Sequence, residues 1–286
     1  MRNRVECYPC LLKQAVEAGK MATDDEAVHW EILQEAIEKI GAVGEEWLPI
    51  VMGKEMQAIV RRLADHRDPY GDIKEGYNKK AKRLLSVLEA EIDRSENAFL
   101  AALKVIAIAN IIDFGAFHPD QLDLAGFFRA KSSSDFKGDI EPTVLMDAIA
   151  KADSILYVAD NCGEIIFDCY FINRFLADKR VYLSVRGGPV LNDATREDLD
   201  GILLHGCVEV MDSGDDSPGV VLSTSSDAFK EKYHSVDLVL LKGQGNFEGI
   251  GAPERENVYS LFVVKCPVIA RHVGCDIDEL VLMVPR

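Results

Sequence analysis

Apolar residues recur at helical spacing through the first half of the chain and gather into short β-branched runs through the second. Val28, Ile32, Ala36, Ile37 and Ile40 mark one amphipathic stretch, opened by Thr23-Asp-Asp-Glu26, the pattern of a capping box. Gly41 and Gly44 punctuate it, and a second stretch carries Ile50, Val51, Met56, Ile59, Val60 and Leu63. Asp68-Pro69-Tyr70-Gly71 then marks a turn. Residues 79–92 place Leu84, Leu85, Leu88 and Ile92 on one side, whereas 98–112 are apolar on nearly every face, as in a helix at the middle of a bundle.

From Pro142, which suits the first turn of a helix, the rhythm changes. Strands predicted at 155–159, 181–185, 207–211 and 236–241 alternate with helices near 164–176, 195–203 and 226–233, and 261–264 and 280–284 could add strands. Such alternation predicts an α/β fold, a mostly parallel sheet with helices on its faces. Ser132-Ser-Ser-Asp135 and Lys137-Gly138-Asp139 read as a connector, which gives a helical region at 1–135 and an α/β domain at 136–286.

Three of the predicted strands run into polar clusters. Ile155–Ala159 leads to Asp160-Asn161-Cys162-Gly163-Glu164, and Val181–Val185 leads to Arg186-Gly-Gly-Pro-Val-Leu-Asn192-Asp193-Ala-Thr195. Val236–Leu241 leads to Lys242-Gly243-Gln244-Gly245-Asn246-Phe247-Glu248. Ligands in open α/β sheets bind beyond the carboxyl ends of the parallel strands, so the three clusters would converge on one site. Asp160 and Asn161 offer hard oxygen ligands suited to Mg²⁺, Mn²⁺ and related ions, and Asp193 could add a second carboxylate. Two carboxylates and an amide leave positions open for water and a phosphate oxygen. Each cluster alone also reads as a helix cap or glycine turn, but capping does not explain why adjacent strands end alike.

Lys242 and the glycines Gly243 and Gly245 would cradle an anion, although the spacing matches neither a Walker loop nor a dinucleotide fingerprint. Asn110 and Asp113 close the most apolar helix, where burial requires partners or a ligand. Arg186 could contact an anion. Cys7-Tyr-Pro-Cys10 precedes a predicted helix; zinc would need two more ligands, thioredoxin chemistry a preceding strand, and a buried thiol pair remains equally open. There is no HExxH spacing, no Gly-x-Ser-x-Gly elbow and no Asp-x-Asp-x-Thr.

Charge and composition narrow the partners. A formal net charge of −16 argues against nucleic acid, so an anionic small substrate would need locally placed cations. The N-terminus has no apolar run after its basic residues, and 98–112 carries Lys104 and Asn110, so neither a secretory signal nor a membrane span is expected. Seven scattered cysteines, an odd count, suit reduced thiols, and a cytoplasmic protein is expected, with a homo-oligomer compatible.

Asp-Asn-x-Gly-Glu, Asn-Asp-x-Thr and Lys-Gly-Gln-Gly-Asn-Phe-Glu, in that order, resemble the damage-control phosphatase family, long called domain of unknown function 89. Cys-Tyr-Pro-Cys and Asn-x-x-Asp-Phe-Gly are similar to its CxxC-bearing, largely archaeal branch. The resemblance spans essentially the whole chain and implies a helical N-terminal region on a Rossmann-like, three-layer αβα domain. It implies a divalent metal (Mg, Mn, Co or Ni) on Asp160, Asn161 and Asp193. Lys242 and Asn246 would meet substrate phosphate, with Asn110 and Asp113 nearby. Cys162 stands where many relatives have a small residue such as Ala.

The expected activity is metal-dependent hydrolysis of phosphate monoesters of small, sometimes damaged, metabolites such as sugar phosphates. Asp160, Asp193, Glu164 and Lys242 are the catalytic candidates. Asn110, Asp113, Arg186, Asn192, Gly243, Gly245 and Asn246 would join Lys242 in binding substrate. Glu164, Asp113 or Asp193 would position the attacking water, and an aspartyl-phosphate on Asp160 is the second mechanism. A non-catalytic phosphometabolite binder and an adenosylmethionine-dependent carboxyl methyltransferase are the alternatives. The second lacks a glycine-rich loop after the first strand.

Overall fold

A computed structural model describes residues 3–110, 126, 131, 134–204 and 206–285. Five helices come first: α1 (Cys7–Ala22), α2 (Glu26–Gly41), α3 (Pro49–Leu63), α4 (Gly71–Arg94) and α5 (Ala98–Ile108). Then follow α6 (Pro142–Lys151), β1 (Ser154–Val158), α7 (Glu164–Phe175), β2 (Arg180–Val185) and β3 (Val208–Asp212). The remainder is α8 (Asp227–Ser235), β4 (Leu238–Lys242), α9 (Gln244–Ile250), β5 (Val258–Val263), α10 (Pro267–Val273) and β6 (Leu280–Met283).

The strands form one sheet in the order β3-β2-β1-β4-β5-β6, parallel except for β6, which runs antiparallel to β5. The mostly parallel α/β fold is as the sequence predicts. Strand pleating sorts the apolar side chains between two faces. Ile155 and Tyr157 of β1, with Leu238 and Leu240 of β4, face a core shared with α4, α5, α6 and α7. Leu156, Val158, Val239 and Leu241 face Phe229 and Tyr233 of α8. The order reverses between β1 and β4, the switch point beside which ligands bind in open α/β sheets, and the strand-end residues meet there.

Helices α1, α2 and α3 enclose a separate apolar cluster around Ile32, Met52, Met56 and Val60. Polar contacts of α3 tie the cluster to the loops after β2 and β3. Lys54 bonds Asp215 and lies 3.0 Å from Asp216, and Arg61 reaches Asp216 at 2.5 Å and the Pro189 carbonyl at 2.7 Å. Among the described residues no helix is long and apolar enough to cross a membrane.

Three local expectations are corrected. The helix expected near 195–203 is only a 3-10 turn, Arg196–Leu199. Asp198 is held there by the Thr195 N–H and hydroxyl at 2.8 and 3.0 Å and by Asn78 at 2.9 Å, anchors that hold the short turn. The capping box expected at Thr23–Glu26 is replaced by Asp25, whose carboxylate accepts the Ala27 N–H at 2.9 Å. Cys7 and Cys10 do not precede a helix but form the first turn of α1.

Phe171 of α7 packs on Phe99 of α5 and Phe175, with centroids 5.5 and 5.3 Å away. Phe171→Ala is expected to destabilise the chain by about 3–5 kcal/mol, through lost burial and the cavity it leaves. Equilibrium denaturant unfolding measures this, and a change under 1 kcal/mol, roughly the scale of a surface substitution, would disprove that packing.

Candidate active site

The three polar strand ends meet at the switch point. The loop after β2 folds back on the end of β1, where Asn161 and Asp193 form an antiparallel bridge. Backbone bonds fix it: the Ala194 N–H donates to the Asp160 carbonyl at 2.8 Å and the Cys162 N–H to the Asn192 carbonyl at 2.8 Å. This brings the carboxylates of Asp160 and Asp193 to the buried guanidinium of Arg186. Its Nε donates to Asp193 Oδ2 at 2.5 Å, one Nη to Asp160 Oδ1 at 3.1 Å and the other to Asn246 Oδ1 at 2.9 Å. One arginine thereby ties the ends of β1, β2 and β4 together.

Gly243 begins the turn after β4 with φ +77°, and a Cβ there would lie 1.9 Å from Asp160 Oδ2. Glycine is required twice, by the backbone angle and by the carboxylate against it. Gly245 is equally confined, because its Cβ would meet the Pro218 carbonyl oxygen at 2.2 Å. Asn246 is fully buried and committed. Its amide donates to the Ala159 and Lys242 carbonyls at 3.1 and 2.5 Å, while its Oδ1 accepts from Arg186 and the Val220 N–H, both at 2.9 Å. It fastens the β1 and β4 ends to each other and has no capacity left for phosphate.

Beneath this layer lies a buried ionic cluster. Lys242 Nζ donates to Glu164 Oε1 at 2.5 Å, Asp168 Oδ1 at 2.8 Å and the Ile106 carbonyl at 3.1 Å. An ammonium has three donors, and all three are used. The expectation that Lys242 contacts phosphate directly is therefore corrected: it neutralises and holds Glu164 and Asp168, which stand one turn apart on α7. Asn110 Nδ2 donates to Asp160 Oδ2 and to Glu164 Oε2, both at 2.8 Å, and links the two layers. Tyr157 donates to Asp168 Oδ1 at 2.5 Å.

Electrostatics follow from this crowding. Burial, with the Glu164 charge adding to it, raises Asp160 above the usual carboxylate range. Burial also pushes Asp193 up to about 7, opposed by Arg186 and reinforced by Asp160, and pushes Asp168 up to about 7 against the pull of Lys242. Burial alone would lower Lys242, but Asp168 and Glu164 hold it above its ordinary value. The site thus gathers more acid than its arginine and lysine relieve.

The donor chemistry fits a divalent ion. Among the described residues no three His, Cys, Asp or Glu side chains are grouped to hold a metal, and the candidate set is instead two carboxylates and an amide. Asn161 Nδ2 donates to Asp160 Oδ2 at 2.9 Å, which orients its carbonyl oxygen away from that carboxylate. The buried Asn110 Oδ1 has no hydrogen-bond partner among the described residues. All-oxygen donors with spare acceptor capacity suit a hard cation.

Asn192 is half-buried and contributes its backbone carbonyl, and Asp113 lies outside the described residues. Lys265 is the cation that motif reading missed. It is exposed just beyond β5, and its charge acts on both Asp160 and Asp193. Its backbone N–H donates to Gln244 Oε1 at 2.8 Å, which places it beside the β4 turn. The signal was available, since a lysine ending the predicted 261–264 strand obeys the same strand-end rule.

Comparison with known proteins agrees with this frame. The damage-control phosphatase ARMT1-like domain matches residues 4–281. The chain belongs to this family. It is 31% identical to an uncharacterised protein of Methanocaldococcus jannaschii over 295 residues, covering 99% of the chain and 95% of the relative. It is 27% identical to a damage-control phosphatase of Pyrococcus horikoshii over 289 residues, covering 99% and 98%. A crystal structure of a domain-of-unknown-function-89 family protein from Pyrococcus horikoshii superposes with a TM-score of 0.91 at 27% identity, covering 100% of both chains.

Lys242→Met would leave Glu164 and Asp168 buried without a counter-charge and is expected to cost about 3–5 kcal/mol of stability. A Lys242→Met, Asp168→Leu double variant should recover part of that loss. Chemical denaturation of the set checks it, and additive losses would show that the ion pair is not the cause.

Proposed function

We propose that the chain is a metal-dependent phosphatase acting on phosphate monoesters of small metabolites, sugar phosphates among them. The observation that carries this reading is the meeting of Asp160, Asn161 and Asp193 at the sheet's switch point, with Lys265 beside them. The damage-control phosphatases of Pyrococcus horikoshii and Archaeoglobus fulgidus among the relatives support it. Asp160, Asn161 and Asp193 would hold the ion, of which Mg²⁺, Mn²⁺, Co²⁺ and Ni²⁺ are candidates. Such an ion, when bound, polarises a phosphoryl group and lowers the pKa of a coordinated water.

The chain's own residues divide the remaining work. Glu164 is fixed by Lys242 and Asn110 at the floor of the crevice, so it is the group placed to orient or deprotonate a water. Lys242 is the buried counter-charge of that carboxylate. Lys265 supplies the mobile positive charge for a phosphate entering from solvent. Asp160 accepts from Arg186 on one oxygen and from Asn110 and Asn161 on the other, an arrangement that suits a ligand better than a nucleophile. The methyltransferase reading is disfavoured because Asp160-Asn161 occupies the end of β1 where a glycine-rich loop would receive adenosylmethionine. We place the protein in the cytoplasm, acting on free small molecules.

Three outcomes test this. Phosphate release from a panel of sugar phosphates should require added divalent metal, and Asp160→Ala and Asp193→Ala should each lower kcat/KM by about a hundredfold or more. Saturable binding of those esters without turnover would instead support the non-catalytic reading. Lys265→Ala should raise KM by about tenfold, on the order of 1.4 kcal/mol. Because Asp193 must lose its proton to bind a cation, Mn²⁺ affinity by calorimetry should rise as pH increases through about 7 and then level off. Affinity independent of pH between 6 and 8 (about a unit either side of that value) would remove Asp193 from the ligand set.

A further inference from the structure

A fourth loop, after β3, supplies none of the proposed ligands, yet it meets Arg186 from two sides. The Gly187 N–H, next to Arg186, donates to the Asp215 carbonyl at 2.8 Å, and a Cβ on Gly187 would lie 2.6 Å from the Asp215 nitrogen. The Val220 N–H donates to Asn246 Oδ1, the oxygen that also accepts from Arg186. Beside it, a Cβ on Gly219 would lie 2.3 Å from the Gly245 carbonyl oxygen. Residues 215–220 therefore run from the backbone beside Arg186 to a partner of its side chain, and glycines permit the close approach at both ends.

That loop is gathered around one buried carboxylate. Asp215 Oδ2 accepts from Ser217 Oγ at 2.7 Å and Thr224 Oγ1 at 2.6 Å, and its Oδ1 accepts from the Asp216 N–H at 3.0 Å and from Lys54. Burial alone would raise its carboxyl, but the bonds from Lys54, Thr224 and Ser217 hold it below the ordinary carboxylate value. Lys54 comes from α3, where its neighbour Gly53 leaves room for Pro218: a Cβ on Gly53 would lie 3.0 Å from the proline ring. Two turns further along α3, Arg61 bonds Asp216 and the Pro189 carbonyl. One helix thus grips the loops after β2 and β3 together.

We propose that Asp215, clamped by Lys54, is a positioning residue of the active site, acting through Gly187 and Val220 to fix where Arg186 and Asn246 hold the carboxylates of Asp160 and Asp193. This rests on the reading of Asp160, Asn161 and Asp193 as metal ligands of a phosphatase. None of the hydrogen bonds of Asp215 among the described residues goes to those three, so it acts only through its neighbours. The guanidinium of Arg186 is directed at three acceptors at once, so a shift of its backbone is passed to both carboxylates. Lys54 is the side chain to test. Among the described residues, the other donors to the Asp215 carboxylate, Asp216, Ser217 and Thr224, all belong to the chain segment just after it.

Calorimetric Mn²⁺ affinity of the full chain, compared among wild type, Lys54→Met, Lys54→Arg and Asp215→Asn, tests this, with kcat, KM and the unfolding midpoint read alongside. Lys54→Met should weaken Mn²⁺ binding and lower kcat by about tenfold each, with KM changed less, as expected when reacting groups are slightly misplaced. Lys54→Arg, which keeps a cationic donor, should restore both. The sign of the change separates the alternatives. Removing a positive charge would, by Coulomb's law alone, tighten the binding of a cation. A purely structural bond would lower the unfolding midpoint and leave affinity and kcat unchanged. Either result overturns the proposal. Should Asp215→Asn not fold, Lys54→Met, which leaves both hydroxyl bonds of Asp215 in place, decides alone. If the wild-type chain binds Mn²⁺ but releases no phosphate, the phosphatase reading fails and the affinity comparison still decides this one; if it binds no Mn²⁺, both fall.

Discussion

A fully buried lysine holds the centre of this molecule. Lys242 ends β4, the strand beside the switch point, and its ammonium is shared among Glu164, Asp168 and a carbonyl of α5. A charge in that position is tolerable only because two carboxylates of α7 meet it with good geometry. The consequence is positional. The ammonium ties α7, α5 and the end of β4 at one point, and Glu164 is bonded through Asn110 to Asp160 above it.

Above that pair, Arg186 does for the strand ends what Lys242 does for the floor. It bonds Asp160, Asp193 and Asn246 at once, so three loops from distant parts of the sequence take one arrangement. Rigid elements and these shared bonds fix the positions of the strand-end carboxylates. The arrangement retains an excess of acid, seen in the upward displacement of Asp160 and Asp193, and a cation would relieve it.

The parallel sheet and the meeting of its polar strand ends were legible because each strand is a short β-branched run that stops at a polar cluster, a one-dimensional pattern. The convergence of Asp160, Asn161 and Asp193 followed from topology alone. What Lys242 and Asn246 do was not legible. A lysine beside glycines looks like an anion cradle until the acceptors that consume it, Ile106, Glu164 and Asp168, are brought in by helices far away in sequence. Lys265 was missed for the opposite reason: the predicted 261–264 strand ends at it, but no glycines or acids beside it flag a polar cluster. The failed helix at 195–203 has a similar origin, since Asp198 is bound by Asn78 of α4.

The most direct check of the account is anomalous diffraction from crystals grown with Mn²⁺. A single strong peak bonded to oxygens of Asp160, Asn161 and Asp193, absent in Asp193→Asn, is the predicted result. A peak elsewhere, or none at this crevice with phosphatase activity intact, would contradict it.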